Sequence, residues 1–335
     1  MRTGASLSVA TVFDAAAATL AAAGVGPHHR LCCALSGGRD SVVLFDVLET
    51  LRSRLDYTLE AAHVHHGLSP AADEWQDFCA GLCERRGIAL RVFKVDVPRD
   101  HPGGLEEAAR IARHAALSLV TCDWLVLGHH RDDQAETVLF RLLRGAGVRG
   151  IAAMAAIEPP DTAGRVGRLR PLLDVGGEEI LAYAREQKLD WIDDASNVDP
   201  RFTRNELRHR ILPALETRFP AARLTLARAA MHFREAAGLL DELARIDAAA
   251  ATYEGEGGEG EHKIFSRAFL LSLSSARLAN LFRWELKQLG TMPPTTARLA
   301  EAMRQLRASA GPLCLPLGDF VCRSRRGRVW LAPKA

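Results

Sequence analysis

The stretch LCCALSGGRDSVVLFDVLETL, Leu31 to Leu51, limits the possible folds more than any other part of the chain. A short apolar run suited to a buried strand stops at Ser36. Beyond Gly37 and Gly38 a second apolar run begins, now with the 3.6-residue spacing of a helix. A strand feeding a helix through so short a turn is half of a βαβ unit, whose crossover is right-handed and whose strands are parallel. The alternation continues along the first half. YTLEAAHV reads as a strand, PAADEWQDFCAGLCERRG as a helix stopped at Gly87, and IALRVFKVDV as a strand. GLEEAARIARHAALSLV is helical, WLVLG is a short buried strand, and DDQAETVLFRLLRG is a helix ended by Gly145. The fold class is therefore α/β, a parallel sheet with helices on both faces. Ligands in such sheets bind at the carboxyl ends of the strands.

From about Asp199 the pattern becomes long and helical, in TRNELRHRILPALETRF, ARLTLARAAMHFREAAGLLDELARIDAAAATY and SRAFLLSLSSARLANLFRWELKQLG. The low-complexity run EGEGGEGEH interrupts it, and CLPLGDFVCRSRRGRVWLAP closes the chain as short strands around a turn. A chain of 335 residues exceeds the ~250 at which single cores stop growing. Two domains are expected: residues 1–215 as an α/β catalytic domain, and residues 216–335 as a helical domain with a terminal β-hairpin. The Ala-rich N-terminus, interrupted by Asp14, reads as an amphipathic helix. No apolar run is long enough to span a membrane, so a cytoplasmic location is expected. With 43 basic and 41 acidic residues the net charge is only +2, so any nucleic-acid site must be a local patch. None of the seven cysteines lies in C-x-x-C, and buried free thiols are expected. The long amphipathic helices leave a homodimer open.

The turn Ser36-Gly37-Gly38-Arg39-Asp40-Ser41 has the makings of an anion site. Glycine lets backbone approach a ligand closely, and a nest of amides at a helix N-terminus carries partial positive charge. The competing reading is a helix start capped by Ser36 or Asp40. Neither G-x-x-x-x-G-K-[ST] nor G-x-G-x-x-G is present. A carboxylate in a phosphate loop calls for a cation between them, and Mg²⁺ suits Asp40 in that role.

S-G-G-x-D-S after a first strand resembles the loop of the PP-loop ATP pyrophosphatases. Four further stretches narrow the likeness: HVHHGLSPAADEW from His63, EEAARIARHAAL with Arg110 and Arg113, LGHHRDDQAETVLFRLLRGAGVRGIAAM with LRPLLDV after it, and WIDDASNVDPRFTRNELRHRILPAL from Trp191. Together, over residues 30 to 215, they resemble the tRNA(Ile)-lysidine synthetase family. That family commonly carries Arg after H-G-L, where this chain has Ser69.

The resemblance gives the residues their expected roles. Ser36 to Ser41 hold the pyrophosphate of ATP, and His66 lies near the nucleotide. His130, Asp133 and Glu136 bind the substrate lysine and help position metal and ATP, with Asp132 beside them. Asp133 and Glu136 share a helix face at i, i+3, where carboxylates can hold an ammonium group and later take its proton. Asp40 and Asp133 are the candidate Mg²⁺ ligands. A capping box with Asp132 as N-cap explains one or two of these acids but not the whole set. Arg113 is expected on phosphate or on the lysine carboxylate, with Arg110 alongside. Arg201, Arg204, Asn205 and Arg208 form a basic patch for tRNA, with RSRRGR near the C-terminus as a second. His63 reads as a satisfied strand-edge histidine.

The implied reaction is ATP-dependent attachment of the ε-amine of free L-lysine to the wobble cytidine of tRNA(Ile) with a CAU anticodon. It runs through an adenylated cytidine, releases pyrophosphate and AMP, and makes the tRNA read AUA as isoleucine. A PP-loop tRNA thiolase and a non-catalytic nucleotide-binding regulator are the alternatives.

Overall fold

The strands and helices expected in the first half are all present in a computed structural model, which describes residues 4–160, 164–194, 203–253, 263–291 and 294–334. Helix α1 (Gly4–Ala22) is followed by β1 (Arg30–Ala34), α2 (Arg39–Leu55), β2 (Thr58–His65), α3 (Ala72–Arg85), β3 (Ala89–Lys94), α4 (Gly104–Leu117), β4 (Trp124–Val126) and α5 (Arg131–Leu143). Then come α6 (Val148–Ile151), β5 (Ile157–Glu158), β6 (Gly167–Leu169) and α7 (Gly177–Glu186).

The first six strands form one sheet in the order β3-β2-β1-β4-β6-β5, parallel throughout except for the edge strand β5. The chain leaves β1 toward β2 and β3 on one side, then returns to lay β4 on the other. Strand order therefore reverses between β1 and β4, and the crevice beyond their carboxyl ends is the natural ligand site. Strand β1 runs out into Ser36–Ser41, and β4 into Gly128–His130. Topology alone thus sets the two sequence motifs side by side.

Both faces of the sheet are covered, which explains the unbroken apolar runs. Leu31, Cys33 and Leu35 enter one layer with Leu20 of α1, Leu44 and Leu48 of α2 and Ile180 of α7. Cys32 points the other way, among Ala62, Leu117, Val120 and Leu125. The adjacent cysteines thus serve opposite cores because strand side chains alternate. Helix α2 buries Val42, Val43, Leu44, Phe45, Val47, Leu48 and Leu51. At roughly 2 kcal/mol for each large apolar side chain, this burial fixes the helix start that the loop must frame.

Helix α8 (Thr203–Glu206) passes into a π-helical turn (Leu207–Ile211) and then α9 (Leu212–Arg218), where Pro213 sits in the first turn. Helix α10 (Ala222–Ala251) follows, and the chain divides into two compact units between Phe233 and Arg234. The second unit adds β7 (Ile264–Ser266), α11 (Arg267–Ser272), α12 (Ser275–Gln288), α13 (Thr296–Ala308), β8 (Leu313–Leu317), β9 (Phe320–Arg325) and β10 (Arg328–Pro333). The expected terminal hairpin is β9–β10, which is extended by β8 and β7 into an antiparallel sheet of order β7-β10-β9-β8. Its core gathers Leu270, Leu281, Phe282, Leu299, Leu306 and Val329. Asp247, fully buried, is neutralised by Arg277. Among the described residues no helix is long and apolar enough to cross a membrane.

Candidate active site

The loop after β1 is held by its own hydroxyls. The Ser41 hydroxyl donates to the Gly38 carbonyl at 2.8 Å and accepts the Ser36 amide at 3.2 Å. The two serine oxygens lie 3.0 Å apart, and the Gly38 amide donates to Ser36 Oγ at 3.3 Å. Gly37 has φ +89°, and a Cβ there would stand 2.6 Å from Ile192 Cδ1, so conformation and space both demand glycine. The N-cap of α2 is Gly38, with no side-chain cap hydrogen bond. The capping reading of Ser36 and Asp40 thus gives way to a helix start whose first amides have no side-chain partner, the arrangement an anion needs. Arg39 turns onto its neighbour, its Nε donating to Asp40 Oδ1 at 2.9 Å.

Across the crevice, Gly128 brings β4 against the start of α2. A Cβ at Gly128 would lie 3.2 Å from the Asp40 carbonyl oxygen. Helix α5 begins one residue before Asp132, so its N-cap is His130 and not Asp132 as the spacing suggests. The His130 Nδ1 accepts the Asp132 amide at 3.2 Å, while the His130 amide donates to Asp133 Oδ2 at 3.0 Å. The capping box formed with Asp133 holds this start and leaves His130 Nε2 facing the crevice. That nitrogen lies 3.4 Å from Asp40 Oδ2 and 3.5 Å from Asp133 Oδ2. One ring therefore joins the anion loop to the carboxylate cluster.

The charges of these groups follow from their neighbours. Burial opposes ionisation of Asp40, but the hydrogen bond and charge of His130, helped by Arg39, hold its carboxyl down at about 2. Burial works against a charged His130, yet Asp133 and Asp40 outweigh it and raise its pKa. Asp133 is likewise kept ionised against burial by His130 and Arg208. Glu136 differs. It is 1% exposed, and burial outweighs the nearby Arg208 and Arg204, so its pKa is raised.

Arg208 aims into this cluster. Its Nη2 lies 2.6 Å from Asp133 Oδ1 and 2.9 Å from Glu136 Oε2, and its Nε lies 3.1 Å from the same Glu136 oxygen. Arg204 Nε stands 3.6 Å from both Glu136 Oε1 and Glu106 Oε1. Asn205 lies beside Arg204 on α8, and Arg201 lies outside the described residues. Asp132 Oδ2 faces Arg223 Nη1 at 3.5 Å and also helps raise the pKa of His130. Arg110 is spent on Glu107, at 2.7 and 2.9 Å. Arg113 makes no hydrogen bond or ion pair among the described residues and reaches solvent, although desolvation by the surrounding protein and the charges of Arg204 and Arg110 lower its pKa. His66 keeps a buried Nδ1 without a hydrogen-bond partner among the described residues, and burial with the nearby Arg113 charge brings its pKa down to about 4. His63 Nδ1 lies 2.9 Å from the Leu35 carbonyl oxygen.

Sequence reasoning passed over His129. Its Nδ1 is buried without a hydrogen-bond partner among the described residues, and burial lowers its pKa to about 4 despite the pull of Asp133. It is a neutral imidazole within electrostatic reach of Asp133, and the doubled histidine is the signal for it in the sequence. Among the described residues no three Asp, Glu, His or Cys side chains converge as a metal cage. Mg²⁺ commonly takes only one or two carboxylates together with phosphate oxygens. Asp40, a third exposed beside the anion loop, fits that donor set. The oxygens of both acids face protein partners, but Asp133 is the more buried of the two, 17% exposed against 33%, and lies off the anion loop, which makes it the poorer ligand.

A family model described as a PP-loop domain matches residues 10–215, and one described as a TilS substrate binding domain matches residues 265–330. The tRNA(Ile)-lysidine synthase of Azoarcus sp. (strain BH72) is 55% identical over 315 residues, covering 94% of this chain and 68% of that protein. The enzyme of the same name from Aromatoleum aromaticum is 56% identical over 315 residues, covering 94% and 71%. The one from Pseudomonas aeruginosa is 45% identical over 311 residues, covering 90% and 69%. Among solved structures, the U34-tRNA thiolase NcsA from Methanococcus maripaludis superposes with a TM-score of 0.58. It is 20% identical and covers 69% of this chain and 80% of that one, a likeness of fold alone.

Proposed function

Because the chain belongs to the tRNA(Ile)-lysidine synthase family, we propose that it uses ATP to join the ε-amine of free L-lysine to the wobble cytidine of tRNA(Ile) with a CAU anticodon. The observation that carries this reading is the His130 ring between Asp40 and Asp133, which puts an ATP loop and a carboxylate cluster in one site. The cytidine carbonyl oxygen attacks the α-phosphate of ATP, pyrophosphate departs, and lysine then displaces AMP.

In this scheme Ser36, Gly37, Gly38 and Ser41 cradle the pyrophosphate through amides and hydroxyls, and His66 lines the nucleotide site. Asp40 holds Mg²⁺, which when bound neutralises charge building on the leaving pyrophosphate. Arg39 keeps the Asp40 carboxylate ionised and aimed. Asp133 and Glu136 take the lysine ammonium, and Glu136, with its raised pKa, accepts a proton as the amine attacks. His130 orients Asp40 and Asp133 together. Arg113, unpaired and facing solvent, meets phosphate or the lysine carboxylate. Arg204 and Asn205 on α8, with Arg201, face the tRNA, and the exposed arginines Arg323, Arg325 and Arg326 add a second patch. A cytoplasmic enzyme fits substrates of this kind. A homodimer fits the exposed Leu224, Met231, Leu239 and Ile246 along α10.

Incubation with ATP, labelled lysine and the CAU-anticodon tRNA is expected to yield labelled tRNA with stoichiometric AMP and pyrophosphate. ATP binding without turnover would instead mark a regulator.

The cysteines separate this reading from sulfur transfer. Burial pushes Cys79 up to about 12 and Cys83 up to about 11, leaving both as inert thiols. The Cys79→Ala, Cys83→Ala double variant is therefore expected to incorporate lysine at the wild-type rate. Loss of activity with retained folding would favour sulfur transfer.

A further inference from the structure

Taking Asp133 and Glu136 as the acceptors of the lysine ammonium, we propose that Arg208 is a resident cation which fills that position and must swing out before free lysine can enter. This rests on the reading of those two carboxylates given above and adds a residue that controls access to them.

The geometry is that of a substrate mimic. An ammonium held between the two acids would sit within hydrogen-bond distance of Asp133 Oδ1 and Glu136 Oε2, and Arg208 Nη2 already does so, at 2.6 and 2.9 Å. Exchange of one monovalent cation for another leaves the buried charge the same before and after, so both end states keep the two acids paired. Arg208 is also able to leave. Its side chain is 36% exposed, so solvent can receive the guanidinium, whereas Glu136 is sealed. Its backbone lies in the π-helical turn Leu207–Ile211; such turns are frequent at functional sites, and a shift from π- to α-helical bonding would re-aim the Arg208 side chain. The same run of chain carries Arg204 and Asn205, the residues proposed to face tRNA. Contact with tRNA and withdrawal of Arg208 are then movements of one segment. Lysine is kept from the ATP site until the acceptor cytidine has arrived.

The test is equilibrium dialysis of labelled L-lysine against the full-length protein without tRNA or ATP. Arg208→Met removes the cation while keeping a long side chain, and at least tenfold tighter lysine binding than wild type is expected. Arg208→Lys supplies its own ammonium and is expected to return binding to the weak wild-type level. ATP affinity serves as the control for folding, and Arg208→Gln is the second variant should the methionine protein be unstable. In turnover, the KM for lysine is expected to fall in Arg208→Met with the KM for ATP unchanged. Lysine binding no tighter than wild type in both neutral variants overturns the proposal. The underlying assignment is judged separately: an unchanged lysine KM in both Asp133→Asn and Glu136→Gln defeats it. A raised KM in those two, with no gain from Arg208→Met, defeats displacement alone.

Discussion

An Asp40→Asn enzyme is expected to release pyrophosphate roughly 10²–10³-fold more slowly than wild type when supplied with ATP and tRNA, the loss typical of removing one group that stabilises developing charge. Asparagine keeps the shape of the loop but not its charge, and Asp40 is the carboxylate that the anion loop itself carries. It also ends the attraction that holds His130 Nε2 at 3.4 Å. Stability responds in a defined direction. The carboxyl is held at about 2, below its ordinary 3.8, so its ionised form stabilises the folded state above pH 3.8, and that contribution is lost as pH falls toward 2. The variant should melt slightly below wild type at pH 5 to 6, where His130 is charged, and the margin should narrow as pH rises through the raised pKa of His130. The margin is small because the side chain is a third exposed and solvent screens its partners. Pyrophosphate release at the wild-type rate would remove Asp40 from the chemistry.

The part of the site made of local pattern was legible before any coordinates. SGGRDS at a strand–helix junction and HHRDD at another are short-range features, and in a parallel sheet both must lie at the carboxyl edge. What the pattern could not give was the pairing across long stretches of chain. Arg208 meets Asp133 over 75 residues of separation, and in the sequence it looked like a partner of Arg204 on a surface face. The π-helical turn has no periodicity of its own, so nothing announced that Arg208 would point inward. The spacing offers Asp132 as the cap and leaves His130 a ligand-binding role alone; its backbone in fact enters the helix as N-cap. Strands β5 and β6, of two and three residues, are too short to show alternation, and they exist only because β4 offers a free edge.

Glu136→Gln separates the two half-reactions. Adenylation does not need Glu136, so pyrophosphate release in the first turnover should match wild type. Lysine incorporation should fall by about 10² or more, the usual worth of a positioned proton acceptor. The sign of its pKa shift supplies a second signature. Burial raises the pKa above the ordinary 4.5, so the protonated form is favoured by folding. The stability this gives is present below pH 4.5 and is lost as pH rises through the folded-state value. At neutral pH the ionised Glu136 is thus a net cost despite Arg208 at 2.9 Å, and glutamine does not bear it. The variant should melt no lower than wild type at pH 7, with the wild type losing ground as pH rises from 4.5. Its lysine step should also lack the rise with pH that the wild type shows as Glu136 ionises. A variant that instead melts well below wild type and loses both half-reactions together would make Glu136 a structural counter-ion of Arg208, and the acceptor of the amine proton would have to be sought at Asp133 or the neutral His129.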